Sequence, residues 1–249
     1  MLGSPLIGPS MPSTAHESWA PGPHSPRLGA GVVDVWRADL GAVGEEIRGL
    51  PSEEERDRAA RLLSARDREL WMSARGLLRA LLGRYLGREP ATLRFVLGEH
   101  GKPALLEDTT RATSPGRPID SQPPPTAFNL SHSGGRALYA FTEDGAVGVD
   151  VECARRRRDE VGIASRTFGA REGERLAGLD PALREREFLR LWVRHEASLK
   201  YWGTGIGAAA EAGRPNPWVQ ELEMGPRAAA AVALERAPDE LRCWDWPPA

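Results

Sequence analysis

Apolar and polar positions alternate in "GVVDVWRADL" (residues 31–40) and again in "GAVGVDVE" (residues 145–152). A period of two places successive side chains on opposite faces of a strand. In the second segment Val147, Val149 and Val151 therefore share one face, and Gly148, Asp150 and Glu152 share the other. Between these strands, "SEEERDRAARLLSARDRELWMSARGLLRALLGRYLG" (residues 52–87) follows a helical period. Leu70, Leu77, Leu78, Leu81, Leu82 and Tyr85 fall on its core-facing side, and Ser52 with Glu55 forms a capping box. "LRFVLGEHGKPAL" predicts a strand entering a Gly-Pro turn. "AFNLSHSGGRALYAFTEDGAVGVDVE" predicts strand, turn, strand, turn, strand. "FGAREGERLAGLDPALREREFLRLWVRHEASLKYWG" supplies two more helical stretches. "RAAAAVALER" and "LRCWDW" are late strand candidates, and the first is equally compatible with helix.

The fold class this order predicts is α+β. Strand, helix and strand patterns recur on each side of about residue 144, which predicts two similar α/β halves (a pseudodimer), residues 33–144 and 145–249. Residues 1–32 read as a flexible Pro/Gly-rich tail in which Leu6 or Trp19 could pack, and residues 107–126 as a Pro-rich loop.

Composition narrows the setting. A net charge of −2 over 249 residues gives no bulk attraction for nucleic acid or an anionic membrane. Cys153 and Cys243 show no CxxC spacing, which fits a reducing compartment. The chain has no apolar run long enough for a bilayer and no basic-then-apolar leader, so the expected location is cytoplasmic.

Several residue groups carry candidate chemistry. Two carboxylates side by side, Asp150 and Glu152, repel unless a positive group compensates. The alternatives are a solvated edge strand and a hard-cation site of the kind Mg²⁺ prefers. In "LRLWVRHEASLK" Trp192, Glu196 and Lys200 stand at i, i+4 and i+8 on one helix face. They read either as a surface ion pair beside a core Trp, or as a third acid with a phosphate clamp. "FNLSHSGG" (residues 128–135) reads as a polar hairpin turn or as hydroxyls and an imidazole turned to an anion. "HGKP" carries Lys102 at the rim of a turn. Arg75 and Arg79, at i and i+4, read as a solvated helix face.

Taken in order, GKP, NLSHS, GVDVE and LWVRHEASLK resemble the four motifs of the Sfp-type 4′-phosphopantetheinyl transferases, from about Val33 to the end of the chain. The resemblance implies two similar halves with the active site in the cleft between them. It implies a Mg²⁺-dependent transfer of phosphopantetheine from coenzyme A to a serine of an apo acyl or peptidyl carrier protein, releasing 3′,5′-ADP. Asp150, Glu152 and Glu196 match the metal carboxylates, with Asp150 and Glu196 the catalytic pair and Glu196, directly or through a metal-bound water, the candidate base. Lys102, Asn129, Ser131, His132 and Lys200 match coenzyme-binding positions, and Arg75 resembles an arginine that reaches the 3′-phosphate. His195 stands where the family carries a lysine near the phosphates, and Val193 replaces a small hydroxyl residue. The run Arg155 to Arg158 reads as a docking surface for an acidic carrier or as a solvated turn. The length implies a monomer. Two other classes remain open: another Mg²⁺-dependent pyrophosphate-cleaving enzyme, and a non-catalytic module that binds coenzyme A or a carrier.

Overall fold

The computed structural model describes residues 18–98, 101–106, 127–154, 159–203 and 215–247. The expected loop at 107–126, the Arg155 to Arg158 run and Leu6 lie outside the described residues. The strands are β1 (Ala20–Pro21), β2 (Val32–Asp39), β3 (Phe95–Leu97), β4 (Pro103–Leu105), β5 (Ala127–Ser133), β6 (Arg136–Thr142), β7 (Val147–Cys153), β8 (Trp218–Leu222), β9 (Ala228–Leu234) and β10 (Glu240–Asp245). The helices are α1 (Glu45–Arg48), α2 (Glu53–Ala60), α3 (Ala65–Leu86), α4 (Glu160–Phe168), α5 (Ala170–Ala177) and α6 (Pro181–Trp202).

The long helical pattern divides where Ser64 caps a new helix by accepting from the Asp67 amide, so α2 and α3 are separate. The Ser52–Glu55 capping box starts α2 as expected. Asp180 caps α6 by accepting from the Ala182 and Leu183 amides, and Pro181 fits the first turn, where no amide donor is needed.

The strands form a five-stranded sheet in the order β1-β10-β2-β6-β5, a three-stranded sheet β7-β9-β8, and a small β3-β4 ladder. Leu77, Leu78 and Leu81 of α3 pack on Trp36, Tyr139 and Phe141 of the larger sheet. The other face of that sheet presents Val33, Val35, Leu138 and Ala140, which pack against Val147, Val149, Val151 and Val232. Val193 and Ala197 of α6 then cover Ala231 and Ala233 on the far side of the smaller sheet. The layers run helix, sheet, sheet, helix, an α+β arrangement with both sheet faces buried. The ambiguous "RAAAAVALER" is strand because it runs as β9 between β7 and β8, and its small side chains let α6 approach.

Two features depart from the sequence reading. The tail is held at more than Trp19, whose packing the sequence reading allowed and whose indole donates to the Glu223 carbonyl: Ala20–Pro21 also pairs with β10 as a strand. The last strand also crosses the expected boundary near residue 144, because β10 lies parallel to β2 in the first sheet. Asp34, fully buried on β2, accepts from Arg242 Nε at 2.6 Å and Trp244 Nε1 at 3.0 Å, both on β10. Hydrogen-bond periodicity within a strand does not reveal such a partner 208 residues away.

Candidate active site

The edges of the two sheets meet at β5 and β7, and side chains join them. Asn129 Oδ1 accepts from the Val149 amide at 2.9 Å, Ser131 Oγ from Val151 at 3.4 Å, and Ser133 Oγ from Cys153 at 3.2 Å. Alternate residues of β5 thus satisfy the alternate amides of β7 at Val149, Val151 and Cys153, which would otherwise be left without these acceptors. The same hydroxyls donate to the carboxylates beside those amides. Ser131 Oγ donates to Asp150 Oδ1 at 2.8 Å, and Ser133 Oγ to Glu152 Oε2 at 2.9 Å. A hydroxyl is one donor and an acceptor together, so each serine is used in both senses. In this arrangement Asn129 and Ser131 position β7 and its acids. The Asn-x-Ser-x-Ser alternation that builds the joint was present in NLSHS, although the sequence reading did not single out Ser133.

The Asp150 and Glu152 face of β7 is covered by α6. A Cβ on Gly148 would lie 2.0 Å from the Ala197 carbonyl oxygen and 2.4 Å from the Tyr201 amide nitrogen, so only glycine lets the helix lie this close. That approach brings Lys200 Nζ to 2.7 Å from Asp150 Oδ1. Buried Glu196 lies near the same acids. Burial, and then the charges of Asp150 and Glu152, push its carboxyl up to about 7, with Lys200 opposing. The positive group beside Asp150 in this structure is Lys200.

Lys102 is not solvated at a turn. Its ammonium donates to the Val147 carbonyl at 3.1 Å and the Lys200 carbonyl at 2.8 Å, tying the β3-β4 turn to β7 and to the last turn of α6. Burial, with the Lys200 charge second, lowers its pKa to about 8. Arg75 and Arg79 are not a solvated face either, being only 7% and 2% exposed. Both bond to Glu55, and their guanidinium groups lie over the Phe95 ring at 4.8 and 5.1 Å.

These groups line one cavity of about 1190 Å³, shared by Arg75, Lys102, Ser131, His132, Glu196 and Lys200. Arg58, Arg88 and Arg94 add further positive charge to its wall. Its chemistry is that of an anion site with an acid able to exchange a proton near neutrality. Exposed His132 stands at the rim, and the protein around its ring, then the Lys200 charge, lower its pKa.

Asp150 and Glu152 do not themselves line the cavity but lie beside Glu196 and Lys200, which do, whereas His195 is placed apart from them. It is not among the residues lining this cavity. Its half-buried ring packs edge-on against Phe168 at 5.5 Å and near Trp192 at 6.2 Å. Burial lowers its pKa.

Among the described residues no group of three or more His, Cys, Asp or Glu side chains converges to hold a metal ion. Two carboxylate oxygens nevertheless suit a hard cation. Asp150 Oδ2 and Glu196 Oε1 are buried and have no hydrogen-bond partner. Magnesium is commonly held by one or two protein carboxylates, with substrate phosphates and water completing its shell. No helix among the described residues is long and apolar enough to cross a membrane.

The family model of the 4′-phosphopantetheinyl transferase superfamily matches residues 146–243. The chain is 34% identical over 197 residues to the 4′-phosphopantetheinyl transferase HetI of Nostoc sp., covering 78% of each chain. It is 31% identical to the 4′-phosphopantetheinyl transferase AcpT of Escherichia coli K12, over 55% of this chain and 58% of that one. It is 26% identical to a 4′-phosphopantetheinyl transferase of Bacillus subtilis, over 66% of each.

Proposed function

Because the chain belongs to the 4′-phosphopantetheinyl transferase superfamily, we propose that it transfers 4′-phosphopantetheine from coenzyme A to a serine of an apo carrier protein and releases 3′,5′-ADP. The carrying observation is that one basic cavity is lined by Glu196, whose carboxyl is raised to about 7, and by Lys200, which pairs with Asp150 beside it. In the reaction the serine oxygen forms a bond to the phosphorus of the pantetheine phosphate. The bond from that phosphorus to the oxygen bridging to 3′,5′-ADP breaks, and the serine proton leaves.

Glu196 is the acceptor for that proton. In the metal-free protein burial and the neighbouring acids raise its carboxyl to about 7, toward the range in which a proton is exchanged near neutrality. Lys200 faces the departing phosphate charge, and Arg75 receives the 3′-phosphate. Lys102 and His132 complete the basic wall. Lys102 also holds the end of α6 so that Lys200 stays over Asp150. Such chemistry depends mostly on position and charge, because the protein adds no covalent step of its own. Magnesium, for which Asp150, Glu152 and Glu196 are the assigned ligands, would neutralise pyrophosphate charge when bound.

Two similar halves, 33–144 and 145–249, meeting at the cavity are part of this reading, with β10 of the second half crossing into the sheet of the first; one 22-residue helix on each sheet supports it. So are a monomeric state, a cytoplasmic location, and docking of an acidic carrier surface on Arg155 to Arg158. The test is incubation with coenzyme A, Mg²⁺ and an apo carrier domain, read by mass spectrometry. A phosphopantetheine mass gain on the carrier serine is expected. Hydrolysis of coenzyme A without transfer would replace this reading with a pyrophosphate-cleaving one, and binding without either reaction with a non-catalytic module.

A further inference from the structure

Glu55 lines the cavity although it is an acid in a basic wall. Its four acceptor positions are all occupied. Oε1 accepts from Arg75 Nε at 2.8 Å and Arg75 Nη2 at 2.5 Å. Oε2 accepts from Arg79 Nε at 2.7 Å and from the Ser52 amide at 2.9 Å. A carboxylate has about four lone-pair sites, so none remains for a ligand. Its negative charge would in any case oppose a phosphate. Glu55 therefore acts on the arginines rather than on substrate.

The two arginines are held differently. Arg79 Nη1 donates to the Pro90 and Leu93 carbonyls at 3.0 and 2.9 Å, so that guanidinium is anchored at both ends. Arg75 is held by one edge only. Among the described residues its Nη1 has no hydrogen-bond partner, and the residue lines the cavity. Phe95 lies against both guanidinium groups and restricts their tilt. The ring and the carboxylate together leave Arg75 one orientation, with Nη1 as the donor for an anion.

We propose that Glu55 is the positioning residue for the coenzyme's phosphate monoester, holding Arg75 so that its unengaged edge meets the 3′-phosphate. This rests on the coenzyme A reading above. Without the carboxylate, two buried guanidinium groups repel and Arg75 loses its hold. Glu55 is also the third helical residue of α2 and accepts from the Ser52 backbone amide, a bond that does not need the Ser52 hydroxyl.

The test compares coenzyme A with 3′-dephospho-coenzyme A, in transfer and in calorimetric binding, for wild type, Glu55→Gln, Glu55→Asp and Ser52→Ala. A well-placed charge-assisted bond is worth a factor of about 10 to 100. Wild type is expected to prefer coenzyme A by at least about tenfold on this scale. Glu55→Gln should raise KM for coenzyme A alone and shrink that preference to about threefold or less, with kcat nearly unchanged. Ser52→Ala removes the cap hydroxyl but spares both arginine contacts, so it should lower Tm and keep the preference. If Glu55→Gln does not fold, Glu55→Asp answers the same question, since withdrawing the carboxylate by one methylene also releases Arg75. An intact preference in the folded Glu55 variant overturns the proposal while wild-type transfer stands. A preference lost equally in Ser52→Ala overturns it too, by assigning the effect to the cap. A wild type that neither transfers nor discriminates removes the coenzyme reading, and this inference with it.

Discussion

Lys200 Nζ lies 2.7 Å from Asp150 Oδ1, while Asp150 Oδ2 is buried with no hydrogen-bond partner among the described residues. One oxygen of the same carboxylate is compensated by a lysine and a serine, and the other is left for something else. Removing one member of a mostly buried pair exposes the other to the cost of an uncompensated charge. Lys200→Met should therefore destabilise the metal-free protein by about 3 kcal/mol. It should also raise KM for coenzyme A by about tenfold or more, through loss of a charge-assisted contact. Urea unfolding with and without Mg²⁺ checks the first effect, and magnesium should restore part of the lost stability. Unchanged stability in the metal-free variant would mean that Asp150 is already compensated by other groups.

Glu196 gives a pH dependence of definite sign. Its carboxyl is raised from 4.5 to about 7, so between these values the folded protein holds a proton that the unfolded chain has lost. Its contribution is full below about pH 4.5 and is lost as pH rises through about 7, a change on the order of 3 kcal/mol. Glu196→Gln should remove that slope in EDTA and be more stable than wild type at pH 8, while transfer falls by a factor of about 100 or more. Denaturation midpoints at several pH values, with one activity assay, decide both points. Parallel stability profiles for the two proteins would show that this carboxyl does not titrate near 7.

The serine joint between β5 and β7 predicts a local effect. Ser131→Ala leaves the Val151 amide and one Asp150 hydrogen bond unmet, at a cost of about 1–2 kcal/mol. Amide exchange at Val151 should accelerate more than exchange at Val149, which Asn129 still holds. Equal protection at both positions in the variant would place the joint elsewhere.

His195→Lys should leave the pH dependence of coenzyme A binding superimposable on that of wild type. The ring packs on Phe168 and Trp192, away from the cavity lining. Its burial lowers the pKa, so a charged form contributes little at pH 7. Calorimetric titrations across pH 6 to 9 make the comparison. A variant that binds more tightly only at alkaline pH would return His195 to the phosphate site.

Arg242→Ala should cost about 3 kcal/mol, because fully buried Asp34 would lose its charged partner and keep, among the described residues, Tyr85 and Trp244 as donors. Asp34→Asn with Arg242→Ala should recover part of that loss, since the buried charge goes as well. A double-mutant cycle by chemical denaturation measures the coupling. Strict additivity would assign the pair no role in seating β10.

Local pattern and local chemistry were legible in the chain itself. The period of two set Val147, Val149 and Val151 against Asp150 and Glu152, and the structure buries the valines between the sheets and turns the acids to α6. The helical period placed Leu77, Leu78, Leu81 and Leu82 in the core, and Ser52 with Glu55 marked the start of α2. Glu196 and Lys200, four residues apart, necessarily share a helix face. These properties depend on neighbours within a few residues, so sequence spacing encodes them. The tertiary structure alone decided which polar groups meet. Arg75 and Arg79 looked solvated until Glu55, from another helix, buried them in an ion cluster. Lys102 looked like a rim charge until two carbonyls 45 and 98 residues away received its ammonium. His195 and Glu196 are adjacent in sequence, yet one packs on aromatic rings and the other faces the acids, because neighbouring helix positions differ by about 100° around the axis. Charge and burial depend on long-range approach, and here that approach was set by a residue with no side chain, Gly148, where α6 rests on β7.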